Sequence, residues 1–391
     1  MNSSVNASPM PNSLARRRRG LSLVELLVVV GIVVTLAAIT LPSLRELLKD
    51  QKVTQASRQV QAFFESAKAR AIANGRPVGI LLDRLSYAGA NSNQITNSTC
   101  LRLSIVEVLP PYCGDIQGAT ATLDCSAGLP GYANRAYLPI TTCPTAASII
   151  SSGDLISFGD NPLTFMVVGT PTITTYNSNP HVTLVLSNPT EAKTEPIWPL
   201  VSALNLPFRV FRKPTKSLTG GLDLPKGICV DLTASGVGPF GRNFSPDWIV
   251  GDPSWSSVPA ADYKGIYIVF DANGGVERIY KGFNVGGVIT FNSEAPTSTI
   301  HLLLGKTDQV VPPTLLTPFD GTTIQTGRDL ATSNLMDSES LWVSINPFTG
   351  AIYSSPVPEP VLPNPVGLFG LDFRTRQARE FAIQGVARGG R

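Results

Sequence analysis

Between Leu26 and Leu44 the chain carries no charged side chain, and directly before this run stands a carboxylate, Glu25. A run of this length meets the ~20 residues that a helix needs to cross a bilayer. A charge at the edge of the hydrocarbon is costly, and such residues are rare and functional. Four arginines, Arg16 to Arg19, precede the run, and the positive-inside rule keeps that end cytoplasmic. Whatever the chain folds into must account for both the apolar run and its acid.

A secretory signal peptide accounts for the basic and apolar regions, with Thr35-Leu36-Ala37 as a loose cleavage site, but Glu25 breaks the front of its apolar core. A plain uncleaved anchor leaves Glu25 equally unexplained. The stretch Gly20-Leu21-Ser22-Leu23-Val24-Glu25, continued by Leu26 to Val30, Ala37-Ala38-Ile39 and Pro42, resembles the processing motif of type IV pilins and pseudopilins. That resemblance implies cleavage after Gly20 by a prepilin peptidase and N-methylation of Leu21, where the family usually has Phe. Cleavage creates an α-ammonium, and a half-buried carboxylate is tolerable when an opposite charge faces it. Glu25 of one subunit would then meet the Leu21 ammonium of a neighbour and set the register of a filament. Gly31 and Pro42 are the weak points of the helix, and the family reading makes them places where it bends.

After Pro42 the pattern turns one-sided. Leu44, Leu47, Leu48, Val53, Ala56, Val60, Phe63, Phe64, Ala67 and Ala71 recur mostly three or four apart, with charges on the other face. This is an amphipathic helix, stopped by Asn74-Gly75 and Pro77. A helix over 21–75 would be roughly 80 Å long, with its front in lipid or a filament core and its rear on a globular body. The sequence from Ala67 to Ile80, an Ala/Arg-rich helix end followed by Gly-Arg-Pro-Val, resembles the H-type minor pseudopilins of type II secretion and FimT-like minor pilins.

From residue 78 the period becomes two. Val78–Leu82, Leu101–Leu109, Leu163–Val168, Val182–Leu186, Phe208–Phe211, Ile228–Leu232, Ile266–Phe270, Val276–Tyr280, Ile300–Leu304, Leu341–Ile345 and Ala351–Ser354 read as strands of a mainly antiparallel sheet. The expected fold is thus α+β and pilin-like: a long N-terminal helix, transmembrane over about 21–44, on a β-rich body. Residues 84–150 and 187–225 read as loop insertions. The expected organisation is a leader over 1–20, the helix over 21–75, a periplasmic domain over 76–355, and a Pro-rich, polar tail over 356–391.

Composition narrows the functions. Without the first twenty residues Lys+Arg is 27 against 28 acids, a net of −1, so global charge does not point to nucleic acid. Of five cysteines, Cys100, Cys113, Cys125 and Cys143 fall in one loop-rich stretch without zinc spacing. Outside the cytoplasm they are disulfide candidates, with connectivity open between bridges and buried thiols. His181 and His301 lie in strand-like runs away from any catalytic motif. Asp271 and Asn273 begin a stretch that lacks the later acids of a calcium loop, apart from Glu277, and reads as an Asx turn. Arg374, Arg376, Arg379, Arg388 and Arg391 make an arginine-bearing tail. FimT-like pilins hold DNA with such a tail, but a solvated tail is the favoured reading.

The expectation is a filament subunit without catalytic residues, metal or cofactor. Its partners would be the prepilin peptidase, the lipid bilayer, other pseudopilins through their N-terminal helices, and an inner-membrane assembly platform. It would sit single-pass in the inner membrane, with the body periplasmic. A minor type IV pilin for adhesion or DNA uptake is the alternative, and a membrane-anchored periplasmic binding or enzymatic domain is the second.

Overall fold

The computed structural model describes residues 23–85, 98–124, 134–159, 164–187, 203–239, 241, 244–245, 265–285, 288–310, 333–359 and 371–387, with backbone only at Glu25 and at 39–50 within the first helix. The chain divides into two compact units, Met1–Leu48 and Lys49–Arg391, and each is taken by itself. Helix α1 covers Leu23–Asn74 and so contributes to both.

In the second unit, the rear of α1 lays Val53, Ala56, Val60, Phe64, Ala67 and Ala71 on one face, all at zero exposure. Their spacing of three or four puts them in one stripe. The helix ends where the sequence stops it. Gly75 has φ +60°; its amide bonds the Ile72 carbonyl, and the Arg76 amide bonds that of Ala71. This is a Schellman cap, and only a residue at ease with positive φ closes it without strain.

The stripe lies on a ten-stranded antiparallel sheet. Its strands are β1 (Val78–Arg84), β2 (Thr99–Glu107), β9 (Thr215–Asp223), β10 (Ile228–Val237), β11 (Gly265–Phe270), β12 (Val276–Val285), β13 (Val288–Glu294), β14 (Ile300–Lys306), β15 (Leu341–Ile345) and β16 (Ile352–Pro356). The order is β13-β12-β11-β1-β2-β10-β14-β15-β16, with β9 paired to β2. Ile300, Leu302, Leu304, Val343 and Ile345 join the α1 core. Leu303 and Trp342, pointing the other way, meet Ala378 and Ala382 of the C-terminal helix, called α3 here (Leu371–Ala387). With both faces covered, β14 is buried from Ile300 to Gly305.

Between β2 and β9 the chain builds a second body. Strands β3 (Thr120–Asp124), β4 (Asn134–Pro139), β5 (Leu155–Phe158), β6 (Thr164–Tyr176), β7 (Asn179–Ser187) and β8 (Ala203–Phe211) close into a barrel in the order β3-β4-β7-β6-β5-β8. Small Ala121 and Ala136 pack in one buried cluster with large Phe158, Phe165 and Phe208 inside it, as side chains fill a narrow barrel. A four-residue helix α2 (Ala146–Ile149) follows β4. The chain enters and leaves at one neck: Tyr112 and Val210 exchange backbone hydrogen bonds of 2.9 and 2.8 Å, and Arg212 donates to the Pro110 carbonyl.

The expected α+β, pilin-like class is therefore corrected. Among the described residues the chain is mostly β, in two antiparallel sheets, and no helix is long and apolar enough to cross a membrane. Glu25 stands in the first turn of α1 and charge returns from Arg45 onward, so the helix is not apolar along its length. The two stretches read as loop insertions hold three of the six barrel strands, β3, β4 and β8, and also β9, which pairs with β2 in the ten-stranded sheet. The tail is corrected too: residues 371–387 are helical and docked, because Ala378 and Ala382 allow close approach to the sheet.

Phe64 packs edge-on against Phe270, centroids 6.3 Å apart, in the centre of the helix–sheet contact. Phe64→Ala should cost about 3–5 kcal/mol in urea unfolding of the full chain. Ile72→Ala, half-exposed on the same helix, should cost less than about 1 kcal/mol.

Candidate functional site

In the first unit, Gly20 and Leu21 lie outside the described residues, as does the side chain of Glu25. Every large apolar side chain described from Leu23 to Leu36 is 52–80 % exposed. Leu26 to Val30 are consecutive, so the exposure runs right round the helix rather than along one stripe. Gly31 has no atom within 4 Å of the place its Cβ would occupy. The Thr35 hydroxyl donates to the Gly31 and Ile32 carbonyls, at 2.8 and 2.9 Å, so its polarity is satisfied inside the helix. Backbone helix continues through both Gly31 and Pro42, so neither expected bend point interrupts it. Such a surface suits an apolar medium or other apolar helices, not water.

The titratable groups singled out by the sequence in the second unit make the following contacts. His181 Nδ1 lies 2.9 Å from the Asn179 carbonyl, and its ring stands edge-on to Tyr137 and Tyr176. His301 is fully buried, 2.8 Å from Ser344 Oγ. Burial, then the nearby Arg379 charge, holds its imidazole well below the usual histidine range. Asp271 Oδ1 accepts from the amides of Asn273 and Gly275, at 2.8 and 2.9 Å, so this carboxylate closes a turn. Among the described residues no cluster of metal-ligating side chains occurs. A cleft of about 210 Å³ between Pro239, Pro347, Phe348 and Ile383 is lined by no titratable side chain.

The arginines of α3 are committed as well. Arg379 is fully buried and donates to the carbonyls of Gly238 (2.6 Å), Gly241 (2.7 Å) and Ala234. It also stands 5.5 Å over the Trp342 ring. Arg374 is buried and donates to the Pro358 carbonyl and to Gln377, and Arg376 pairs with Glu380 at 2.7 Å. Buried guanidiniums held by carbonyls do not present themselves to phosphate. Arg388 and Arg391 lie outside the described residues.

The thiols of Cys100, Cys113 and Cys143 are free, and Cys125 lies outside the described residues. Cys100 is buried in the sheet opposite Val230, its thiol 3.2 Å from the Arg102 carbonyl. Burial pushes that thiol up to about 12, so it is no nucleophile.

Sequence reading missed Asp231, a fully buried acid in β10. Between Asp231 and Gly236 the register of β10 against β14 shifts. Asp231 Oδ2 accepts from Asn334 Nδ2 at 2.9 Å and Oδ1 from the Thr233 amide at 3.0 Å. Burial outweighs these bonds and raises its carboxyl to about 6. The signal lay in Ile228-Cys229-Val230-Asp231-Leu232, a lone acid inside an apolar run, the same cue that singled out Glu25.

Comparison of the chain with protein-family models, curated proteins and solved structures finds no match.

Opposite pH dependences follow for the two buried groups. A carboxyl with a raised folded pKa stabilises most at low pH and loses that contribution as pH rises from about 4 through about 6, by up to about 3 kcal/mol. A histidine with a depressed folded pKa stabilises above about 6.5 and loses that contribution as pH falls. In urea unfolding from pH 4 to 7, the stability of the unsubstituted chain relative to Asp231→Asn should therefore decline with pH. Relative to His301→Gln it should rise.

Proposed function

We propose that this chain is a pseudopilin-like subunit of a type II secretion pseudopilus, processed after Gly20, held at the inner membrane by its N-terminal segment, and assembled into a filament through that segment. The observation that carries the reading is the coincidence of Gly20 and Glu25, five residues apart, with an apolar surface exposed around the whole circumference of α1 from Leu23 to Leu36. Such a surface demands cover, and packing beside other copies or in lipid supplies it. Cleavage after Gly20 supplies an ammonium for the carboxylate of a neighbouring copy. The body would then face the periplasm.

A minor type IV pilin for adhesion is the second reading. It is favoured by the barrel, a module with its own core attached at one neck, which suits display to a partner. DNA uptake through the arginine tail is disfavoured by the burial of Arg374 and Arg379.

On co-expression with a prepilin peptidase, intact-mass analysis should show loss of residues 1–20 and a methylated chain beginning at Leu21. An unshortened chain, or one cut near Ala37, overturns the reading. Glu25→Ala should leave the body folded yet lower filament incorporation about tenfold or more, the equivalent of about 1.4 kcal/mol. Unchanged incorporation would remove the charge pair from the account.

A further inference from the structure

We propose that Cys113 and Cys143 form a disulfide that staples the incoming neck strand of the barrel to the end of β4. In the structure they are free thiols, one exposed and one buried, and three neighbours of Cys113 touch Cys143 or the residue beside it. The Asp115 amide bonds the Thr142 carbonyl at 3.1 Å, and a Cβ on Gly114 would stand 3.5 Å from Cys143 Sγ. Tyr112 packs in the same buried cluster as Cys143, and its hydroxyl donates to Asp115 at 2.9 Å. Asp115 also grips the far side, accepting from the amide and hydroxyl of Thr145. The cysteine at 113 is thus held beside the one at 143 from both directions along the chain.

The ladder carries β4 toward the neck. Thr122 pairs with Tyr137 in the antiparallel β3–β4 ladder, so the Thr120 end of β3 meets the Pro139 end of β4, four residues before Cys143. Cys125 lies outside the described residues. Cys100 and Cys229 belong to the ten-stranded sheet. Gly114, at φ +99°, lies next to Cys113 and leaves the backbone there free to turn the exposed side chain toward its partner.

The bond forms by thiol–disulfide exchange with an oxidising disulfide. The Cys113 thiolate attacks one sulfur of that disulfide and expels a thiolate. The Cys143 thiolate then attacks the Cys113 sulfur and expels the second. Two cysteine thiols lose two electrons and two protons, and the oxidant leaves as two thiols. Exposed Cys113 receives the oxidant, while buried Cys143 resolves the mixed disulfide.

In the cell the bond rests on the periplasmic placement proposed above, so the test separates geometry from location. The purified full chain in detergent is incubated with oxidised glutathione, alkylated and digested. A peptide pair joining Cys113 to Cys143 is expected, with a melting temperature several degrees above that of the reduced chain. Cys113→Ser should melt at the same temperature in oxidant and reductant. A lasting glutathione adduct on Cys113 with Cys143 open to alkylation overturns the proposal, as does a link to Cys125. If the bond forms with glutathione but is absent from protein alkylated in intact cells, the geometry stands and the periplasmic placement fails.

Discussion

A stripe of side chains on α1, from Val53 to Ala71, lies at zero exposure against one face of the ten-stranded sheet. Much else depends on that contact. It brings Phe64 onto Phe270 and leaves the opposite face of the sheet to be covered by α3. It also gives Lys68 a partner across the fold, since its Nζ reaches the Gly350 carbonyl at 3.0 Å. Burial of apolar area at about 25 cal/mol per Å² dominates such an assembly. The hydrogen-bonded turns then fix where each strand begins.

The second face is held differently. Under α3 the helix's own apolar contacts are the small Ala378 and Ala382, set against Leu303, Leu335, Trp342 and Val357, and a buried guanidinium stands beside them. Arg379 is tolerable there because three carbonyls and an aromatic face surround it. Buried charge of this kind adds little net stability over an apolar replacement, while removing one partner is costly. Its effect is on position: a helix whose arginine must find the carbonyls of Ala234, Gly238 and Gly241 has one seat on the sheet.

Much of the sheet was legible in the sequence. The period-two runs such as Ile266–Phe270 and Ile300–Leu304 lie in β11 and β14, and Asn74-Gly75 sits where α1 stops. The barrel was legible only in part: Leu163–Val168, Val182–Leu186 and Phe208–Phe211 fall on β6, β7 and β8, while β3, β4, β5 and the closure were missed. Its strands β3, Thr-Ala-Thr-Leu-Asp, and β4, Asn-Arg-Ala-Tyr-Leu-Pro, each bury one alanine and one leucine in the barrel core, too short an alternation to stand out from loop. Arg374 and Arg379 were read as solvated because sequence shows charge but not the carbonyls that receive it. For the N-terminal segment, the residues that carry the processing motif are legible only as sequence.

The neck has a mechanical consequence. Since Tyr112 and Val210 pair where the chain crosses into and out of the barrel, a pull on the barrel tensions two adjacent strands side by side. The load passes into β2 and β9, which pair with each other, and the barrel is never stretched between its own ends. Traction on the barrel as a whole is thus shared between the two strands of its root.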